Sequence, residues 1–225
     1  VLEDCAQAMG AEINGARVGA LGDVAFFSFG RGKNVCAVSG GVILTNNETA
    51  ARAVSRKISQ LPAPAVQERL LTIARALFLN IFSHPLLYWL PEGIPFLQIG
   101  QTVYSPDFGI EQLSSFGAGV ARDWVSKLAF LNKTRRTIVE IYRREIPQDG
   151  LCFLEEPEGA TAAYPRFPIL ARNEAERNSI CRQLSSAGIS GSRFYPSGIA
   201  HIPELNLSEG EKGAMGNGTL LAKRL

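Results

Sequence analysis

The sequence predicts an α/β fold built around a buried, mostly parallel sheet, and three observations support this prediction. Two short apolar runs, DVAFFSF at 23–29 and GGVILTN at 40–46, are β-branched or aromatic and are bounded by turn residues, as buried strands are. A helical pattern with an asparagine cap begins at Asn47 and covers 47–60, and a longer helical pattern covers 109–145. Strands followed by helices of this length indicate an α/β domain.

The N-terminal residues extend this prediction to a second strand. Val1 and Leu2 are interpreted as the tail of another buried strand, and Asp4 and Gln7 follow at its end. Residues 9–22 are rich in glycine and alanine and are predicted to form a loop, with Asn14-Gly15 as a strong turn signal. The chain therefore places polar side chains just beyond the first strand.

Lys33 lies in the loop after the strand at 23–29, where open α/β sheets place their ligands. One interpretation is an ordinary solvated loop lysine. The other is a Schiff-base lysine, a primary amine that condenses with a carbonyl cofactor. Lys33 alone does not distinguish the two.

The residues upstream favour the second interpretation. An enzyme that uses pyridoxal 5'-phosphate needs a carboxylate against the pyridine nitrogen, a group near the ring hydroxyl, a phosphate ligand and a lysine. Asp4, Gln7, Ser28 and Lys33 can supply these four roles in chain order.

The order and spacing of five motifs resemble one known family. The motifs are EDCAQAMG, NGARVGALGD, FSF, GRGK and SGG, all within residues 1–48. Together they are similar to the core of the DegT/DnrJ family of nucleotide-sugar aminotransferases. The resemblance implies the fold type I architecture of pyridoxal-phosphate transferases: part of a large domain, then a long helix and a small α/β domain.

The resemblance also implies a role for each site residue. Lys33 would bond covalently to the cofactor and move protons, and Asp4 would pair with the pyridine nitrogen. Gln7 would lie near the ring hydroxyl, and Ser28 would hold a phosphate oxygen. A homodimer with active sites between subunits is expected, acting on a nucleotide-linked keto sugar and an amino donor, usually glutamate.

Two segments depart from the family pattern. Ser39 stands where the family usually has a glutamate before the Gly-Gly pair. The stretch Tyr104-Ser105-Pro106-Asp107-Phe108 lacks the family's Asn-x-Arg motif. These departures concern the substrate side and leave the cofactor residues intact. They give weight to an alternative, a non-catalytic or divergent homologue that binds cofactor or sugar nucleotide. A related sugar dehydratase is disfavoured because its lysine would be replaced by histidine.

Two domains are expected. Residues 1–112 would form the C-terminal part of the large domain, and 113–225 the long helix and a truncated small domain. Against the family pattern we expect a fragment that lacks the N-terminal part of the large domain. Such a fragment alone would bind the cofactor poorly.

The segment 67–104 is an apolar insertion interrupted by polar residues and proline. It falls short of the roughly 20 apolar residues of a membrane span. Burial as a helical insertion on the large domain is the favoured interpretation. Docking of residues 70–100 on a membrane or a partner is the alternative.

The second half of the chain is predicted to be helix, then mixed α/β. A basic cluster on the long helix is expected to be a solvated face. Strands are predicted at 151–155 and 162–171, and a capped helix at 173–188. In the segment that follows, Tyr195 and His201 are possible substrate-side residues, although a surface loop histidine is an equal interpretation of His201. The members of the basic cluster are Lys133, Arg135, Arg136, Arg143 and Arg144.

Composition excludes several classes of function. Of the 225 residues, 46% are hydrophobic and 20% charged, and the net charge of +2 gives no argument for a nucleic-acid partner. The four cysteines include no C-x-x-C pair, and the two histidines have no metal-ligand spacing. These features favour reduced thiols, a cytoplasmic location and no metal site.

Overall fold

The computed structural model describes residues 1–84, 86–87, 90, 104, 108–148, 150–189, 191, 193–195 and 197–225. The chain divides into two compact units. The first unit comprises Val1–Tyr88, Gly109–Arg144 and Glu156–Phe167, and the second comprises Trp89–Phe108, Glu145–Glu155 and Pro168–Leu225. The domain boundary predicted at residue 112 stays a prediction.

A three-stranded sheet forms the centre of the first unit. Its strands are β1 (Leu2–Asp4), β4 (Val24–Ser28) and β5 (Gly41–Leu44), in the order β1-β4-β5. β1 and β4 are parallel, whereas β4 and β5 are antiparallel. Both apolar runs are therefore strands, as predicted, but β5 is not buried: it lies at the sheet edge, and all four of its residues are exposed. Only the first of them belongs to the parallel pair, because the loop after β4 turns the chain back on itself.

The N-terminal strand exists but is not buried. Val1 is 84% exposed and Leu2 is 66% exposed, which contradicts the predicted buried strand. The reason is position: β1 lies at the edge of the sheet and pairs with β4 on one side only. Alternation in the central strand is clearer, because Ala25 and Phe27 are buried while their neighbours are half-buried.

The segment predicted as a loop between β1 and β4 contains a small hairpin. β2 (Glu12–Ile13) pairs with β3 (Ala16–Arg17) on one side and with β7 (Ala160–Thr161) on the other. Asn14 and Gly15 both have positive φ, 50° and 77°, as a tight Asn-Gly hairpin turn requires. The Asn14-Gly15 turn signal is thus confirmed.

The side chain of Glu3 organises the loop that follows this hairpin. Its carboxylate accepts backbone N–H bonds from Gly19 at 2.9 Å, Leu21 at 2.8 Å and Gly22 at 2.6 Å. The bond from Gly19, followed by the one from Gly22, lowers the pKa of Glu3 below its ordinary value. One ionised side chain therefore satisfies three loop amides and ties the loop to β1.

The buried core of the first unit surrounds the central strand. Ala25, Phe27 and Phe29 contribute from β4 and its end, while Val35 and Ala37 come from the loop after it. This loop is consequently anchored by its own apolar side chains. The remaining buried members of the cluster are Cys5, Met9 and Ala121.

Two helices follow the sheet. α1 (Glu48–Ser59) is capped by Asn47, whose side chain accepts a bond from the backbone N–H of Ala50 at 3.0 Å. α2 (Val66–Phe82) confirms the predicted helix in the apolar insertion, but none of its residues is buried. The favoured interpretation of a buried insertion is therefore wrong for α2. Its contact within the described residues is with α3 (Ser115–Ala121), and this contact leaves every residue of α2 at least partly exposed.

Much of the rest of the insertion lies outside the described residues, so the alternative of docking through residues 70–100 stays a prediction. Among the helices that the structure describes, none has the length and apolar character needed to cross a membrane.

The long helical pattern at 109–145 is divided into two helices. Ser114 caps α3, accepting a bond from the backbone N–H of Gly117 at 3.0 Å, so residues 109–114 are not helical. α4 (Trp124–Glu145) then runs to the predicted end. The cap explains the later start, because it terminates the helical hydrogen bonding at Ser115.

The second unit has a short antiparallel pair and several helices. β6 (Cys152–Phe153) pairs with β8 (Ile169–Leu170). The strand predicted at 162–171 is therefore only two residues long in this pair, and it begins after Pro168. α5 (Glu174–Ser186) is capped by Asn173 and confirms the helix predicted at 173–188. Its buried Arg177 donates to the carbonyl oxygen of Ala222 in the last helix at 2.7 Å. The last two helices are α6 (Glu209–Ala214) and α7 (Gly216–Arg224).

The Gly40-Gly41 pair is explained by the return of the chain into β5. Gly40 has a φ of 89°, and a Cβ atom on Gly41 would lie 2.4 Å from the carbonyl oxygen of Phe27. Gly41→Ala should therefore lower the free energy of unfolding by about 1–3 kcal/mol, because the clash involves backbone. Chemical denaturation measures this. Gly213→Ala is the control, since its Cβ meets nothing within 4 Å and helical alanine is favourable. Equal stability of the Gly41 variant and the wild type would contradict the steric argument.

Glu3→Gln should free part of the loop that Glu3 holds. At neutral pH we expect faster hydrogen exchange at the amides of Gly19, Leu21 and Gly22, and a lower free energy of unfolding. Because the folded pKa of Glu3 is lowered, its stabilisation is present above the ordinary glutamate pKa and is lost as pH falls through the folded value. The variant and wild type should therefore converge in acid. Glu48→Gln, which removes only an exposed ion pair with Arg52, is the control. A stability difference that grows in acid would refute this assignment.

Candidate active site

The parallel register of β1 and β4 brings two predicted site residues to one edge of the sheet. Asp4 is paired with Phe26, so Ser28 lies two residues further along the adjacent strand. Both residues end their strands, and carboxyl ends of parallel strands form the ligand-binding edge of such sheets. A carboxylate and a hydroxyl therefore stand at the same sheet edge.

The Asp4 carboxylate is oriented by its own backbone. Its Oδ1 accepts a bond from the backbone N–H of Ala6 at 3.0 Å, which fixes the side chain at the start of a turn. The turn closes through the N–H of Ala8, which donates to the carbonyl oxygen of Cys5 at 3.0 Å. Gln7 is half-buried within this turn, and buried Cys5 anchors it to the core. Asp4 and Gln7 are thus held in one short, defined segment.

The Ser28 hydroxyl begins the loop that carries the lysine. Its Oγ accepts the backbone N–H of Gly30 at 3.2 Å, and this leaves the hydroxyl proton for donation to an anionic group. The backbone N–H of Lys33 then donates to the carbonyl oxygen of Gly30 at 3.3 Å. Ser28 and Lys33 are therefore linked through a single turn.

The base of the lysine loop is closed by hydrogen bonds. The backbone N–H of Phe29 donates to the carbonyl oxygen of Gly40 at 2.9 Å. The carbonyl oxygen of Phe29 accepts a bond from the backbone N–H of Ala37 at 2.8 Å. Lys33 itself is half-buried, whereas the two residues that follow it, Asn34 and Val35, are buried. The lysine side chain thus projects from a loop that is anchored on both sides of it.

Two buried asparagines behind this loop were missed by the sequence analysis. Asn34 is 1% exposed and Asn132, on α4, is 5% exposed. The Nδ2 of Asn34 donates to the Oδ1 of Asn132 at 3.4 Å, and the Nδ2 of Asn132 donates to the carbonyl oxygen of Met9 at 3.1 Å. A signal was available in the sequence: Asn132 lies four residues after Leu128 and seven before Val139, which places it on the apolar face of the helix.

The basic cluster on α4 is not a uniformly solvated face. Arg135 and Arg136 are half-buried, and they donate to the carbonyl oxygens of Asn34 at 3.2 Å and Ala162 at 3.2 Å. Burial lowers the pKa of Arg135. The prediction holds for exposed Lys133 but fails for these two arginines, because distant carbonyl groups pack against them.

The two predicted substrate-side residues lie in the second unit. Tyr195 is 42% exposed and its ring meets that of Phe194 edge-on at 4.9 Å. His201 is exposed and ends the short 3-10 helix Ile199–His201. Their role toward substrate stays a prediction. Of the divergent stretch 104–108, residues 105–107 lie outside the described residues, and Ser39 is exposed in the loop before Gly40.

The donor set of the first unit fits pyridoxal 5'-phosphate. Asp4 offers an anion for a protonated ring nitrogen, and Ser28 offers a hydroxyl donor for a phosphate oxygen. Gln7 offers an amide, and Lys33 a primary amine for a carbonyl group. Asp4 and Ser28 are the last residues of two adjacent strands. Gln7 follows the first of these strands, and Lys33 lies in the loop after the second.

The sequence model of the DegT/DnrJ/EryC1/StrS aminotransferase family matches residues 1–71 and 97–221. The chain therefore belongs to this family. The unmatched residues 72–96 fall inside the predicted apolar insertion at 67–104, and the predicted family membership is confirmed.

Two relatives show how far the similarity extends along the chain. An uncharacterised protein of Methanocaldococcus jannaschii is 27% identical over 201 residues, which cover 87% of this chain and 46% of the relative. A UDP-N-acetyl-3-dehydro-alpha-D-glucosamine 3-aminotransferase of Acidithiobacillus ferrooxidans is 54% identical over 46 residues, 20% of this chain and 12% of that enzyme.

Solved structures confirm the predicted fold type I architecture. The DegT/DnrJ/EryC1/StrS aminotransferase of Brucella abortus superposes with a TM-score of 0.62 at 22% identity, covering 99% of this chain and 50% of that one. The protein Spr1654 of Streptococcus pneumoniae, in its PLP form, superposes with a TM-score of 0.55 at 16% identity, covering 99% of this chain and 57% of that one. The chain spans about half the length of these proteins. The cofactor indicated by the family and by the PLP form is pyridoxal 5'-phosphate.

Proposed function

We propose that the whole protein is a pyridoxal-phosphate-dependent aminotransferase that moves an amino group from a donor, glutamate, to a nucleotide-linked keto sugar. The observation that carries this proposal is the register of β1 and β4, which brings Asp4 and Ser28 to the same sheet edge, the one from which the Lys33 loop departs. When bound, pyridoxal phosphate supplies a ring that accepts electrons from the substrate carbon.

Each residue of the site has a defined task. Asp4 would hold the proton on the ring nitrogen through a charge-assisted hydrogen bond, and the Ser28 hydroxyl would donate to the phosphate. The Gln7 amide would serve the ring hydroxyl. The Nζ atom of Lys33 would hold the cofactor and, as a free amine, would carry the proton that leaves the amino-bearing carbon of the donor and, in the second half-reaction, the proton added at the keto-sugar carbon.

The substrate class rests on the relatives. One of them is named for an amino transfer to a UDP-linked 3-dehydro sugar, and another, from Vibrio cholerae, is named GDP-perosamine synthase. Both names denote nucleotide-linked sugars. We propose the same class of acceptor here, in amino-sugar or polysaccharide biosynthesis, with a cytoplasmic homodimer as the active form. Tyr195 and His201 are proposed to contact the substrate.

Lys33→Ala should abolish transfer, because alanine has no amine that could hold the cofactor or move the proton. We expect at least about a 1,000-fold loss of turnover with glutamate and a UDP-linked 3-keto sugar, measured as aminated product. Lys57→Ala, on the exposed side of α1, is the control and should retain full turnover. Full activity of the Lys33 variant would refute the proposed mechanism. A wild-type whole protein that binds the cofactor and the nucleotide sugar but never transfers an amino group would favour the non-catalytic homologue.

Asp4→Asn should lower turnover strongly while changing cofactor binding much less. The amide keeps the size and the turn but removes the charge that holds the ring proton, so we expect kcat to fall about 10- to 100-fold. Cofactor retention after gel filtration, read by absorbance, should change much less. Asp123→Asn, exposed between α3 and α4, is the control. An unchanged kcat would show that Asp4 does not serve the ring nitrogen.

A further inference from the structure

The residue that directly follows Lys33 is the most deeply buried polar side chain described in the chain. Asn34 is 1% exposed, although it lies in a loop that carries a half-buried lysine. Its Nδ2 donates to the Oδ1 of Asn132 and to the carbonyl oxygen of Ala163, both at 3.4 Å. A loop residue is thus tied by its side chain to α4 and to the segment after β7.

The backbone of Asn34 is held as well. Its carbonyl oxygen accepts a bond from the Nη1 of Arg135 at 3.2 Å, and the same nitrogen lies 3.3 Å from the Oδ1 of Asn132. Arg135 and Asn132 lie one turn apart on α4, and they hydrogen-bond the backbone and the side chain of Asn34, respectively. The residue next to Lys33 is therefore held through both its backbone and its side chain.

The same network reaches the other strand end. The Nδ2 of Asn132 donates to the carbonyl oxygen of Met9 at 3.1 Å, and Met9 closes the segment that begins with Asp4 and Gln7. A single asparagine on α4 therefore contacts both chain segments that supply the cofactor ligands. Every contact in this network lies within the first unit.

Stability alone does not explain Asn34. Among the described residues, its Oδ1 is the one buried side-chain oxygen or nitrogen without a hydrogen-bond partner. A buried acceptor without a partner destabilises a fold, whereas an apolar side chain of similar volume would not. The two bonds that place the loop therefore explain a buried asparagine here better than its contribution to stability does.

We propose that Asn34 is a positioning residue for Lys33, and that Asn132 and Arg135 act through it. This inference rests on the proposed function, in which Lys33 bonds the cofactor and moves the proton. The network fixes the loop, and the loop fixes the direction from which the Lys33 amine reaches the cofactor and the substrate carbon. Asn34 itself touches neither.

The test uses Asn34→Leu in the whole, cofactor-loaded protein. Leucine keeps the branched arrangement of heavy atoms, removes the acceptor without a partner, and loses the two bonds that locate the loop. The unfolding temperature shows whether the variant folds. We expect borohydride to trap the cofactor on Lys33 at least tenfold more slowly, and the pH at which the cofactor absorbance changes to shift. The value of kcat should fall 10- to 100-fold, while KM for the amino donor stays within about twofold. Asn178→Leu, a half-buried asparagine of α5 bonded to Arg177, is the matched control and should leave the trapping rate, the absorbance titration, kcat and KM unchanged.

A second pair of variants keeps the test decisive if Asn34→Leu does not fold. Arg135→Leu removes the bond to the Asn34 backbone, and Lys133→Leu removes an exposed charge two residues away on the same helix. Slower trapping in the Arg135 variant alone would support the proposal. Equal trapping rates and an unshifted absorbance titration in the Asn34 and Arg135 variants would overturn it. A wild-type protein that traps no cofactor on Lys33 would instead refute the proposed function.

Discussion

The parallel pairing of β1 with β4 is the interaction on which the rest of the site depends. It places the ends of two strands that are distant in sequence at one edge, so that Asp4 and Ser28 become neighbours. Without that register the carboxylate, the hydroxyl and the lysine loop would have no common surface. Glu3, at the centre of β1, supports the pairing by holding the intervening loop through three backbone amides.

The lysine loop depends on a second layer of contacts. Its apolar residues enter the core around Phe27, and its one buried asparagine is held by α4. The loop is therefore shaped by its packing as much as by its own sequence. This arrangement suits a catalytic amine, because a reactive group is most effective when the residues around it are already fixed. It also explains why polar residues occupy the inner face of α4.

Features set by local chemistry could be predicted from the sequence, whereas features set by distant contacts could not. The Asn47 cap, the Asn14-Gly15 turn and the strand at 24–28 follow from neighbouring residues, and the structure has all three. The burial of Arg135 depends on a carbonyl group 101 positions away, which no helical periodicity records. The exposure of α2 likewise depends on which elements cover it. The motif order identified the candidate ligands but not the network that holds them.

Borohydride reduction followed by peptide mapping shows directly whether Lys33 carries the cofactor. The whole protein would be saturated with pyridoxal phosphate, its absorption spectrum recorded, and the reduced product digested. We expect loss of the visible absorbance and a phosphopyridoxyl group on the peptide that contains Lys33. An unmodified Lys33 peptide under saturating cofactor, or a label on another lysine, would show that Lys33 is not the lysine that bonds the cofactor.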